Sequence, residues 1–233
     1  MRVEPIGVGS IAHIVKRGAR GLEIVRDSYD RDRLVSSLYY LNESYLDENW
    51  TRAITPLTPF ERPAYWPDRE PLAHVLAWTL MPNHFHLLLR EIREGGITKF
   101  MQRLCGSMSA AYNSKYKESG SLFQGAYKSR SIQEDSHLRY LAFYIQVKNV
   151  LELYPGGLVK ALKEFDKAWD WSVSYPYSSL QAYAQHASSP IIEDPLLTEM
   201  FPDHRAFKME AREMLLTHVL AHDKYASMML EPW

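Results

Sequence analysis

Apolar and polar positions alternate over Ile11 to Lys16 (IAHIVK), and the turn-like RGARG follows, so the first element predicted is a β-strand. Asp30 to Tyr45 reads as a helix. Pro56, Pro59, Pro63, Pro67 and Pro71 then mark a long connection rather than an element. Two further strands, His74 to Met81 (HVLAWTLM) and His84 to Glu91 (HFHLLLRE), are separated only by Pro82-Asn83, a spacing that demands an antiparallel hairpin. From Ile97 the apolar residues Ile97, Met101, Leu104, Met108, Ala111 and Tyr112 recur at helical spacing, and Gly120 is the expected stop. Leu122 to Ile132 reads as a fourth strand, and Glu134-Asp135-Ser136 supplies capping chemistry for a helix to about Val150.

The order β-α-β-β-α-β-α contains that of a ferredoxin-like split βαβ, which makes the expected fold α+β, an antiparallel sheet with helices on one face. Tyr154-Pro155-Gly156-Gly157 closes this unit, giving a domain at 1–157. A helical C-terminal extension is expected at 158–233, with helices over Leu158 to Trp169 and His204 to His222 around the segment YPYSSLQAY. That extension has three conceivable uses: packing on the first domain, dimerisation or DNA contact.

At 46% hydrophobic, 24% charged and 12% aromatic, the composition is that of an ordered globular protein. No apolar run is long enough for a signal peptide or a membrane span, so the expected location is the cytoplasm. The lone Cys105 excludes an internal disulfide. The net charge of −1 is unlike the basic balance of most nucleic-acid binders, yet between Lys99 and Arg130 six basic residues face only Glu118, a local charge of +5.

Two features carry chemistry. In MPNHFHLLL the side chains of His84 and His86 project from one face of their strand, because successive residues alternate. Two imidazoles about 7 Å apart along a strand can converge on one divalent cation, given a third ligand from a neighbouring element. The second feature is the helix DSHLRYLAFYIQVKNV, whose Leu138, Leu141, Ala142 and Ile145 form a core stripe. Tyr144 falls roughly 110° from the centre of that stripe, at the border of the core, with Lys148 one turn on, Tyr140 one turn back and His137 on the same edge. A phenol of ordinary pKa near 10 needs a nearby cation before it attacks a phosphodiester.

MPNHFHLLL resembles the HUH strand of the single-tyrosine transposases, the insertion-sequence and REP-associated families. GSLFQGAYKSRSI followed by LAFYIQVKNV resembles the segment around their nucleophilic tyrosine, IAHIVKRGARG resembles their first strand, and YPYSSLQAY resembles a segment found beyond their catalytic domain. The likeness runs with gaps from about residue 10 to 183, in the family's order. It implies an HUH endonuclease domain in which His84 and His86 hold Mg²⁺ or Mn²⁺. Tyr144 is then the nucleophile that cleaves and rejoins single-stranded or hairpin DNA through a 5′-phosphotyrosine.

Many members place Asn or Gln one turn after the tyrosine as third ligand, where this chain has Lys148, and a protonated lysine cannot ligate. Gln146, Asn149 or water remain. Regular helix geometry puts Asn149 on the core stripe and Gln146 well round from Tyr144, so water is the expected ligand, with Lys148 near the phosphate. Lys128, Arg130 and Arg17 are the expected DNA contacts. Two other readings stay open: a domesticated hairpin-binding protein without cleavage, and a metal-dependent hydrolase that needs no Tyr144. Monomer and homodimer are both compatible with the sequence.

Overall fold

The computed structural model describes residues 6–54 and 60–220. Pro56 and Pro59 of the proline-rich connection, and the last two residues of the helix expected to reach His222, lie outside the described residues.

Four strands form one sheet: β1 (Ile11–Arg17), β2 (Ala73–Met81), β3 (His84–Glu91) and β4 (Lys128–Ile132). Their spatial order is β2-β3-β1-β4 with every neighbouring pair antiparallel, which is the split βαβ arrangement. β4 is shorter than its sequence suggests. Phe123 bridges Gly18 and the Gln124 amide reaches the Arg17 carbonyl, but Gly125 adopts a left-handed φ of 50° and breaks the run before Lys128.

Pleating sorts the sheet into two faces. On one, Ile14, Trp78, Leu80, Phe85, Leu87 and Leu89 pack against α1 (Ser28–Tyr40) and α2 (Gly96–Tyr116), the two helices of the split unit. α1 starts at an Asp27 cap that accepts from the Asp30 amide at 3.1 Å. α2 begins where the buried Glu91 carboxylate accepts from the Gly96 and Ile97 amides, satisfying two orphan donors of its first turn. It ends at Tyr116, before Gly120, because Lys117 turns left-handed and Asn113 caps back to the Gly120 carbonyl.

The opposite face carries Leu76, Ala77 and Leu88, and a second layer covers it. This layer is α3 (Asp135–Phe143), a π turn (Tyr144–Lys148) and a last α turn (Asn149–Glu152), followed by the extension. The extension contributes α4 (Gly157–Lys163), α5 (Phe165–Val173), α6 (Leu180–Ala184) and α7 (His204–Leu220). The helix expected over 158–169 is thus two, broken at Glu164. Leu138, Leu141, Ala142 and Ile145 point into this layer together with Trp169, Phe207 and Leu215. The extension therefore packs onto the sheet, and Ser178 and Ile192 form bridges along the outer edge of β2.

Candidate active site

Antiparallel register assembles the site on this second face. His84 and His86 share it with Leu88, and across β1 the pairs Val15↔His86 and His13↔Leu88 make His13 the diagonal neighbour of His86. On the far side of β1, Arg130 pairs with His13 and Lys128 with Val15, while Arg17 pairs with His84. One sheet surface thus collects three histidines and three of the cations singled out from the sequence.

The imidazoles interlock. His13 Nε2 lies 2.9 Å from His86 Nδ1, and the two rings stack with centroids 5.2 Å apart. His84 Nδ1 is 2.6 Å from the Asn83 side-chain oxygen, and its ring meets that of His86 edge-on at 5.0 Å. Burial pushes His13 down to about 3, with His137 and Arg130 adding to the effect. Burial also holds His86 well below the usual histidine value, with His13, His84, Lys148 and Arg17 pushing the same way. Both are neutral imidazoles at physiological pH, the form that ligates a metal.

Tyr144 faces this cluster from the opposite layer. Its ring centroid is 5.7 Å from that of His86 and 6.3 Å from that of His13, both edge-on. The Lys148 ammonium lies 4.6 Å from the centre of the tyrosine ring and pairs with Glu152 at 2.7 Å. Regular helix geometry puts Tyr144 at the border of the core; it is instead buried, 3% exposed. The reason is tertiary: α7 lies across it, with His218 6.1 Å from its ring and 3.0 Å from the Tyr140 hydroxyl, and Met214 and Leu215 close by.

The helix is also not a regular one here. The Asn149 amide bonds to the Tyr144 carbonyl, five residues back, so the turn that begins at the tyrosine holds one residue more than an α turn. Such a turn leaves one carbonyl of the helix without an amide donor. The Thr79 hydroxyl, on β2 directly opposite His86, donates to the Ile145 carbonyl and so fastens the π turn to the histidine strand.

The structure therefore brings His84, His86, Tyr144 and Lys148 together, with Arg17 and Arg130 at the rim and Lys128 more exposed on the same face. Sequence reasoning missed His13. Its signal is an imidazole inside the alternating strand IAHIVK, but the register that sets it beside His86 is not written in β1. Thr79 and His218 were likewise invisible as site residues. Among the described residues no three His, Cys, Asp or Glu side chains form a metal-holding group.

Residues 70–148, from before the histidine hairpin to Lys148, match the model of the family described as "Transposase IS200 like". Over that span, which is less than half of the chain, the sequence is similar to the IS200-like transposase family. No curated protein sequence matches it. Among solved structures it is similar to one described as "Structure of the REP associates tyrosine transposase bound to a REP hairpin", at 12% identity over 82% of this chain and 88% of that one, with a TM-score of 0.41. So low a likeness says nothing about how this chain works. The matched span contains the β2–β3 hairpin, β4 and the helix up to Lys148, the elements that carry His84, His86 and Tyr144. Among the described residues no helix is long and apolar enough to cross a membrane.

Proposed function

We propose that this protein is a transposase that cleaves and rejoins single-stranded or hairpin DNA with Tyr144 as nucleophile. The observation that carries the proposal is the meeting of Tyr144, His86 and Lys148 from opposite layers, on a sheet face that also carries Arg17, Lys128 and Arg130. In the reaction the Tyr144 phenolic oxygen forms a bond to the scissile phosphorus and the bond to the 3′ oxygen breaks. The phenol proton is lost and the departing 3′ oxygen gains one. The DNA then carries a free 3′-hydroxyl, and its 5′ phosphate is esterified to the enzyme. Because the ester is conserved, a 3′-hydroxyl reverses the step and joins strands without an external energy source.

The chain's own residues have defined tasks. Lys148 supplies positive charge to phenolate and phosphate. Arg17, Arg130 and Lys128 hold the flanking phosphates, positioning the strand without reading its sequence. The donor set fits a divalent cation: Nδ1 of His84 lies beside the Asn83 side-chain oxygen and Nδ1 of His86 beside His13, so Nε2 is the atom by which each ring would ligate, the usual arrangement of metal-bound histidines. For His86 this fixes two tautomers together. Its Nδ1–H must donate to His13 Nε2, which places the proton of His13 on the buried Nδ1, an atom with no hydrogen-bond partner. Mg²⁺ or Mn²⁺ held there supplies Lewis-acid stabilisation of the phosphate.

A second reading has one observation in its favour. The burial of Tyr144 and Lys148 beneath α7 suits a hairpin-binding protein that no longer cleaves, because a phosphodiester reaches the phenol only if that helix shifts. Incubation of the protein with single-stranded DNA from its gene's flanks and Mn²⁺, followed by denaturing electrophoresis, separates the two. A protein–DNA adduct is expected from the wild type and none from Tyr144→Phe. Binding without an adduct at any Mn²⁺ concentration selects the second reading.

A further inference from the structure

β1 carries a cation that the site around Tyr144 does not use. Lys16 pairs with Phe85 in the register of β1 on β3, which turns it away from His86 and onto the first sheet face. It is 6% exposed. Its ammonium donates to the Gly125 carbonyl and lies 5.3 Å from the centre of the Phe123 ring. The carbonyl takes one of three N–H donors, and no carboxylate among the described residues pairs with the charge. Burial pulls Lys16 below the ordinary lysine value, with the Cys105 thiol opposing. A buried charge without a partner is costly to keep, so its counter-charge is to be sought outside the chain.

The turn in front of Lys16, residues 124–127, is held at both ends. The Gln124 amide donates to the Arg17 carbonyl at 2.9 Å, and the Tyr127 hydroxyl meets that of Thr98 on α2 at 3.3 Å. No peptide among the described residues is cis, and in a trans peptide the C=O and N–H point in opposite directions. The Gly125 carbonyl faces Lys16, so the N–H of the same peptide, which belongs to Ala126, faces away from it. Ala126 is exposed, and its amide has no acceptor among the described residues. A methyl group added at Gly125 would meet no atom beyond its chain neighbours within 4 Å, so there is room above the turn. The ammonium on the carbonyl polarises the peptide and makes its N–H a stronger donor. An outward amide with a fixed positive charge behind it is a seat for an anion.

We infer that the Gly125–Ala126 peptide, backed by the buried Lys16, seats one backbone phosphate of the bound strand, between Arg17 and Lys128. The inference rests on the DNA-binding part of the function proposed above, and the contact it adds positions the strand without reading its sequence. It also gives the break in β4 a use. Peptides of a continued strand lie in the plane of the sheet, and none of them could turn its carbonyl towards a side chain that stands on the face.

The test is binding of fluorescent single-stranded and hairpin oligonucleotides to the full chain, read by anisotropy across a KCl series for the wild type and Lys16→Met. Each phosphate neutralised contributes about 0.7 to the slope of log affinity against log salt for a single strand. Lys16→Met, close in shape and without charge, is expected to flatten that slope by about 0.7 and to weaken binding about tenfold at low salt, the scale of one hydrogen bond to a charged group. Unchanged affinity and slope in a folded Lys16→Met protein overturns the inference and leaves the proposed function standing. A wild type that binds neither oligonucleotide overturns both. If Lys16→Met does not fold, the wild type decides by ¹⁵N–¹H NMR: the Ala126 amide proton should move downfield when the oligonucleotide is added, and less with inorganic phosphate at equal phosphate concentration. An Ala126 signal that the oligonucleotide leaves in place, or that inorganic phosphate moves further, overturns the inference.

Discussion

Replacing Thr79 by valine removes one hydroxyl at a fully buried position, keeps the branched shape, and strips the Ile145 carbonyl of the donor that ties the π turn to the sheet. The carbonyl sits between the β2–β3 sheet and the tyrosine helix, where water cannot replace the lost partner. Leaving such a group unpaired costs about 1–3 kcal/mol. In a chain of this length 1 kcal/mol corresponds to about 2–4 °C in melting temperature, so Thr79→Val is expected to melt roughly 2–12 °C below wild type in scanning calorimetry at neutral pH. Thr79→Ser is the control. It keeps the donor and loses one buried methyl worth about 0.8 kcal/mol, so it should stay near wild type in stability and retain adduct formation. Thr79→Val should lose adduct as well as stability, since the same bond sets where Tyr144 begins its wide turn. A Thr79→Val protein that melts at or above the wild-type temperature and still forms adduct would refute the account of the π turn as a clamped element.

Tyr144→Phe is expected to abolish the covalent adduct while single-stranded DNA binding, measured by fluorescence anisotropy, stays within about threefold; an adduct that persists would move the nucleophile to Tyr140, one turn back. Lys148→Ala should slow cleavage in single-turnover assays by about tenfold to a thousandfold, the scale of losing one preorganised electrostatic contact, with Mn²⁺ affinity little changed; rescue by excess Mn²⁺ would mean that Lys148 serves the metal instead. His13→Leu takes the partner from His86 Nδ1 inside the sheet layer and should weaken Mn²⁺ binding by about 10–100-fold, as isothermal titration can check. Unaltered binding would reduce His13 to a packing residue.

The order of the elements, the tight β2–β3 hairpin and the sharing of one face by His84 and His86 follow from the sequence alone, because each depends only on the period of side chains along a single element. The core stripe Leu138, Leu141, Ala142 and Ile145 is legible for the same reason. What the tertiary structure decided is of another kind. His13 reaches His86 through the register of β1 on β3, and Arg130 reaches His13 through that of β4 on β1, a choice made between strands and not within either. The covering of the second sheet face, and with it the burial of Tyr144, depends on α7, which lies some sixty residues further along the chain. The extra residue in the turn from Tyr144 to Asn149 escapes a regular 100° periodicity by definition, and it persists because a threonine from another strand satisfies the carbonyl it strands. Local periodicity thus placed the two histidines and the tyrosine on their elements. Non-local hydrogen bonding and packing determined which groups stand next to them, since those contacts form between segments whose sequences carry no record of each other.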